Sequence, residues 1–249
     1  MKLKEKVAIV TGGSQGIGEA ICHAYAKEGA IVIVVNKNQP KLGVQVAESI
    51  INNGGLAEAI ECDITNEDSV NSLIKQVIEK YDEINILVNN AGVAVFKNFE
   101  DHTLEDWNYV MDVNIKGAFL VSRAVVPQMK KQKHGKIIFI ASIAATKGFA
   151  TIAPFSASKG AMISMAKSMV AELSRCGINV NTISPGSTET PTNRLLHTPK
   201  FLKAIESRTA SGHPMQTSDM VGAAVFLASD ESGAIHGLDI PIDNAWNTL

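Results

Sequence analysis

The sequence is short of three things. It has 3 cysteines in 249 residues, 5% aromatic residues, and almost no excess of one charge, with 25 acidic against 23 basic side chains. Cys22, Cys62 and Cys176 are odd in number, far apart and without a CxxC pair, which indicates neither a disulfide framework nor a thiolate metal site. His23, His102, His134, His197, His213 and His236 show no HxxxH or HExxH spacing, so no metal is expected. A formal net charge of −2 leaves no electrostatic footprint for nucleic acid or an anionic membrane surface. No apolar run approaches the roughly 18 residues of a membrane span. Lys2, Lys4, Glu5 and Lys6 lead into the short apolar run Val7–Val10, too brief for the core of a signal peptide. A cytoplasmic location is the default expectation. Repeats, low-complexity tracts and Pro/Ser-rich linkers are also missing, and one domain over 1–249 is expected.

What is present is apolar surface in a regular order. At 45% hydrophobic residues the chain is no candidate for disorder, and its length suffices for a large core. Short β-branched runs recur at Val7–Val10, Ile31–Val35, Ala57–Cys62, Ile84–Val88, Ile137–Ile140, Ile178–Ile183 and Leu238–Ile242. They are continuous rather than alternating, as strands covered on both faces must be. Helical periods lie between them. Ile17, Ile21, Ala24, Tyr25 and Glu28 follow i, i+4, i+7, i+8, i+11 up to Gly29, and Val70, Ile74, Val77 and Ile78 follow a cap at Thr65 or Asn66. Met162, Met165 and Met169 form a stripe that reads as packing rather than substrate lining. The pattern predicts an α/β fold, a Rossmann-like doubly wound parallel sheet of seven strands with helices on both faces. Residues 187–215, polar and punctuated by Pro191, Pro199 and Pro214, fit a mobile helical flap over a site.

The first strand runs into Thr11-Gly12-Gly13-Ser14-Gln15-Gly16-Ile17-Gly18 and then directly into a helix. Glycines 12, 16 and 18 permit a tight turn, close backbone approach to a pyrophosphate, and tight helix-to-strand contact. The free N–H groups and dipole of the helix start then face an anion. After the second strand, Asn36 is neutral where an acidic residue would accept ribose hydroxyls, and Lys37 could pair with a 2′-phosphate. NADP is therefore preferred over NAD, although Gln15 supplies no second cation and Lys37 could be merely solvated.

The glycine spacing resembles the TGxxxGxG signature of the short-chain dehydrogenase/reductase family, and the likeness extends along the chain. Ser14, Gln15 and Ile17 fall within that phosphate loop. Asp63, followed by Ile64, resembles the family's adenine-contacting aspartate. Asn89-Asn90-Ala91-Gly92 resembles its NNAG motif. Asn114 resembles the catalytic-site asparagine of a long fourth helix, Ser142 the catalytic serine, and Lys159 the lysine of YxxxK. Pro185-Gly186, with Thr188 and Thr190, resembles the segment that holds the nicotinamide carboxamide. The resemblance implies hydride transfer between NAD(P)(H) and a ketone/secondary-alcohol pair, with a small-molecule carbonyl or alcohol as substrate. It also implies a homotetramer built partly on helices around 103–130 and 154–175. In such a site the lysine holds the nicotinamide ribose and lowers the pKa of a tyrosine phenol, the serine orients the carbonyl, and the asparagine supports a proton relay.

Two positions depart from that pattern. Phe155, 13 residues after Ser142 and four before Lys159, stands where the tyrosine belongs. Tyr25, Tyr81 and Tyr109 are not positioned by sequence to replace it. Phe155 is open to three readings: an engineered Tyr→Phe replacement, a natural nucleotide-binding relative without turnover, or an enzyme drawing its proton from water or substrate. At the last strand, Asp243-Asn244-Ala245-Trp246 replaces a DGG-like turn, which puts the tail geometry in question. Phe96, Ile143, Phe149 and Ile152 suggest an apolar substrate lining.

Overall fold

The computed structural model describes residues 1–37, 39–193 and 198–248. The expected sheet is present. Its strands are β1 (Val7–Thr11), β2 (Ile31–Asn36), β3 (Leu56–Glu61), β4 (Ile86–Asn89), β5 (Gly135–Ile140), β6 (Ile178–Pro185) and β7 (Asp239–Ile242). They pair in parallel in the order β3-β2-β1-β4-β5-β6-β7. Eight α-helices are described: α1 (Gly16–Lys27), α2 (Pro40–Asn52), α3 (Glu67–Tyr81), α4 (Leu104–Met111), α5 (Ala118–Gln132), α6 (Ala153–Leu173), α7 (Pro199–Arg208) and α8 (Val221–Ala228). None of the described helices is long and apolar enough to cross a membrane.

The continuous apolar strands are explained by two cores, one on each face. Along β1, Val7 and Ile9 join α3, α5 and α6 on one side, while Ala8 and Val10 join α1, α2 and α8 on the other. Alternate residues along β2 and β5 divide in the same way. Such two-sided burial is what parallel strands with crossover helices require. Met162 sits in the first core, with Met165 and Met169 packed against it.

Three local differences from the expected elements have physical causes. The β4 ladder starts at Ile86 rather than Ile84. At Ile84 the Gln132 side chain takes both backbone groups, Oε1 accepting from Ile84 N and Nε2 donating to Ile84 O, each at 3.0 Å, so no ladder forms there; Asn85 still bonds Val7 O and Lys136 N through its backbone. The long fourth helix is interrupted by a π turn over Asp112–Gly117. Within it the Asn114 side chain leaves the helix surface to bond Val93 on both its N–H and its C=O. Of the two cap candidates for α3, Asn66 does the work, with Oδ1 accepting from Ser69 N.

The sheet changes direction between β1 and β4: the chain moves outward from β1 to β3 on one side and from β4 to β7 on the other. A crevice therefore opens at the carboxyl ends of these two strands. The 187–215 excursion closes on itself beside it, with Glu189 N bonded to Met215 O and Met215 N to Ser187 O, both at 2.8 Å. It carries α7; Arg194 to His197 of the expected flap lie outside the described residues.

The tail after β7 does turn as a glycine pair would. Asn244 and Ala245 both adopt left-handed backbone, φ 55° and 65°. For alanine this costs about 1–2 kcal/mol, partly offset in any glycine replacement by the entropy glycine loses on folding. Ala245→Gly should therefore stabilise the protein by roughly 0.5–1 kcal/mol, read as a higher urea midpoint at unchanged m-value. A lower midpoint would show that the Ala245 methyl contributes packing that outweighs the strain.

Candidate active site

The site begins with a clamp between strand ends. Thr11 Oγ1 donates to Val88 O at 3.3 Å and accepts from Asn90 N and Ala91 N at 3.0 and 3.1 Å. Asn90 Nδ2 donates back to Thr11 O and Gly12 O at 2.9 and 3.0 Å. The glycine turn is thereby fixed to β4. A Cβ on Gly18 would overlap the Gly12 carbonyl oxygen, so the helix start can reach the turn only without a side chain. Gly16 has φ +62°, and its missing side chain would point toward the Thr190 methyl across the crevice, 3.5 Å away. Gln15, at the cap of α1, makes no side-chain cap bond, leaving first-turn amides for an anion.

One cavity of about 640 Å³ joins this turn to the chemistry-bearing residues. Gly12, Ser14, Gln15, Gly16 and Ile17 line it at the turn, and Asn36, Lys37, Asp63 and Ile64 after β2 and β3. Asn90, Ala91 and Gly92 follow, then Ser142, Phe155 and Lys159, with Pro185, Gly186, Thr188 and Thr190 opposite. Of the residues singled out by sequence, Gly18 and Asn114 lie behind this surface and shape it from within.

The end of the cavity beside β2 and β3 has a feature that suits a nucleotide. Asn36 is 6% exposed, and its Nδ2 has no hydrogen-bond partner among the described residues. A buried, unpaired donor is costly, and because Asn36 lines the cavity, turning this amide toward a ribose hydroxyl or 2′-phosphate oxygen would satisfy it. Lys37 differs from both sequence readings: its ammonium pairs with Asp63 Oδ2 at 2.6 Å. Partial burial opposes charge on Asp63, but Lys37 and the two donors of Thr65 outweigh it and hold the carboxyl below its usual range. Both partners remain substantially solvated, so the pair is worth at most about 1 kcal/mol and opens at little cost.

At the other end, Lys159 is buried with no carboxylate beside it. Its Nζ donates to Ile140 O at 2.7 Å and stands 5.5 Å from the centre of the Phe155 ring. Burial pushes its pKa down to about 7. Ser142 Oγ accepts from Ala144 N at 3.1 Å, and no described residue takes its hydroxyl proton, which is left to donate. Asn114 is fully committed as a donor, to Val93 O at 3.0 Å and Ser158 Oγ at 2.9 Å, while Oδ1 accepts from Val93 N at 2.8 Å. It pins the 91–93 backbone and α6, and only a lone pair of Oδ1 remains for a relay.

Three contributors were not found from sequence. Ser158 bridges Asn114 to Phe155 O, where its hydroxyl donates at 2.7 Å; nothing distinguishes it in sequence from Ser156. Phe201, from α7, lines the cavity. So does Tyr109, which the sequence weighed only as a substitute for the phenol missing at residue 155 and not as a lining residue. Its spacing of four from Val113, another lining residue, was the available signal.

A family model described as short chain dehydrogenase matches residues 6–200. The cyclopentanol dehydrogenase of Comamonas sp. (strain NCIMB 9872) is 33% identical over 246 residues, 98% of each chain. The crystal structure of a gluconate 5-dehydrogenase from Burkholderia cenocepacia J2315 in complex with NADP and tartrate superposes with a TM-score of 0.95 at 32% identity, covering 100% of this chain and 97% of that one. A 7α-hydroxysteroid dehydrogenase complexed with NADH and 7-oxoglycochenodeoxycholic acid gives 0.94 at 31% identity, covering 98% and 94%.

The buried amine makes a pH-dependent prediction. The folded pKa of Lys159, about 7, lies below its unfolded value of 10.5. The unfolded chain therefore binds more protons between these values, so the penalty is complete below about pH 7 and fades toward pH 10.5. Lys159→Met should raise the melting temperature, relative to the parent chain, more near neutral pH than in alkaline buffer. A change of equal size at both would mean the amine is not desolvated in the fold.

Proposed function

The chain belongs to the short-chain dehydrogenase family, and from that premise we propose that it is an NADP(H)-preferring oxidoreductase framework for a ketone/secondary-alcohol pair, impaired at one catalytic position, Phe155. The observation that carries this reading is the single cavity running from the glycine turn to Ser142, Phe155 and Lys159. Gly12, Gly16 and the first turn of α1 would hold the pyrophosphate, Asn36 and Lys37 the adenosine ribose and its phosphate, and Lys159 the second ribose. Pro185, Gly186, Thr188 and Thr190 would hold the carboxamide. When bound, the nicotinamide supplies or accepts the hydride.

The chain's own groups would then act on the oxygen of the substrate. Ser142 donates a hydrogen bond to it and so polarises the carbonyl. In its protonated form Lys159 would place a positive charge beside residue 155 and lower the pKa of a phenol there. Phe155 preserves the ring but offers no proton. Loss of a positioned acid costs on the order of 10²–10⁴ in rate while leaving binding intact. The same proposal extends to a homotetramer built on helices around 103–130 and 154–175, supported by the exposed Leu104, Trp107 and Phe119 on the first of these, and to a cytoplasmic location.

A second reading, a nucleotide-binding protein that performs no turnover, is favoured by Phe155 itself. The two separate in one comparison. Phe155→Tyr should raise ketone reduction by about 10²–10⁴ over a panel of carbonyl compounds. A tyrosine variant that binds nucleotide normally yet gains no rate would leave the second reading standing.

Cofactor preference has its own measurement. Lys37→Glu should weaken NADPH more than NADH, because only the former places a 2′-phosphate beside the new carboxylate. Equal losses in the two titrations would remove Lys37 from phosphate recognition.

A further inference from the structure

The substrate end of the cavity is aromatic on several sides. Phe96 follows β4, Tyr109 comes from α4, Phe149 and Ile152 precede α6, and Phe155 and Phe201 come from α6 and α7. Among the described lining residues the only charged side chains are Lys37, Asp63 and Lys159. The first two neutralise one another after β2 and β3. The third is buried on the Ile140 carbonyl. Apart from Lys159, no described lining residue gives a carboxylate or phosphate on the substrate a counter-charge at this end, which is unfavourable in a partly desolvated cleft.

The wall has a backing that is not itself part of the cavity surface. Trp246, in the tail after β7, stacks on Phe149 with ring centres 5.6 Å apart and an interplanar angle of 29°. It meets Phe201 at 6.5 Å, and the Arg208 guanidinium lies 5.7 Å from its ring. The left-handed pair Asn244 and Ala245 delivers it there. Ala210 N binds Asn244 O at 2.8 Å, Asn247 N binds Asp243 Oδ2 at 2.9 Å, and Asn244 Nδ2 bonds Ser211 Oγ. One indole thus fixes the planes of two wall rings drawn from different segments, while Arg208 is turned toward the indole.

Building on the proposed function, we infer that this end takes an uncharged ring ketone, or the matching cyclic secondary alcohol, and that Trp246 is the positioning residue that orients the two rings walling the slot. Offset-stacked aromatic pairs are sensitive to geometry, and each is worth enough to change affinity by about three- to tenfold. An open-chain keto sugar acid would gain little from such a slot and would lose the hydration of its carboxylate.

The lack of a phenol at residue 155 lets binding be read without turnover. Cyclohexanone, α-tetralone and 5-keto-D-gluconate would be titrated calorimetrically into the chain, both nucleotide-free and saturated with NADPH. The ring ketones should bind at least about tenfold more tightly than the keto acid. Trp246→Ala should weaken the ring ketones about three- to tenfold and leave NADPH affinity within about twofold. Trp246→Phe, which keeps an apolar ring in the tail, should lose less. Phe201→Arg, which places a cation in the wall, should shift the preference toward the keto acid. Keto-acid binding as tight as ring-ketone binding, or ring-ketone affinity indifferent to Trp246, would overturn the inference. Absence of NADPH binding would instead overturn the proposed function, since the ligand preference is also measured on the nucleotide-free chain.

Discussion

Thr11 and Asn90 exchange hydrogen bonds where the sheet reverses its direction of growth, and the rest of the site hangs from that exchange. Parallel strands leave their last carbonyls and amides without partners at the carboxyl edge. Here two short polar side chains satisfy several of them at once, holding the end of β1 against the end of β4. The glycine turn can then be narrow, because its backbone is supported from the side rather than from beneath. Gly18 completes the arrangement by allowing α1 to begin against the Gly12 carbonyl. A crevice that would be a loose gap between diverging chains becomes a rigid phosphate-sized edge.

From this edge the cavity extends into a region of very different electrostatics. The side beside β2 and β3 is polar and half-exposed, with one amide unpaired among the described residues and an ion pair of low cost. The Lys159 side is dry. Its ammonium has a carbonyl at 2.7 Å and a π face, neither of which repays the hydration lost. Lys136 on β5, the other buried lysine among the described residues, also has no carboxylate bonded to it, yet it reaches two neutral oxygens, of Asn179 and Ser232, away from the cavity. Lys159 alone combines desolvation with access to the cavity, which is the usual mark of a group retained for chemistry rather than for stability.

How far the sequence could be read follows from the range of each interaction. The sheet was legible because strand burial is a local composition signal, repeated seven times. The glycine turn was legible because its shape depends on the glycines themselves, Gly12 and Gly16 at positive φ and Gly18 against the Gly12 carbonyl. Lys37 and Asp63 were each noticed but not joined, although β2 and β3 run in parallel with Asn36 opposite Glu61. Tyr109 escaped for a subtler reason. Residues five apart on a regular α-helix stand about 140° from one another, which separates Tyr109 from Asn114. The π turn adds a residue between them and alters that phase. Trp246 was invisible as a wall support because its partner Phe149 lies across the whole of α6, β6, α7, α8 and β7. The turn that carries it there is built from Asn and Ala rather than the glycines that advertise left-handed backbone.

These two hidden features, tail and π turn, bear on the same question from opposite sides of residue 155. Asn114, by leaving the helix ladder to hold Val93, and Ser158, by holding Asn114 and the Phe155 carbonyl, fix the backbone of residue 155 from beneath. Trp246 fixes Phe149 and Phe201, which share the cavity surface with the Phe155 ring. Neither set of contacts involves an atom that a phenolic oxygen would displace. The backbone position of residue 155 is therefore determined independently of whether the ring bears a hydroxyl, and so are the lysine amine and the serine hydroxyl next to it.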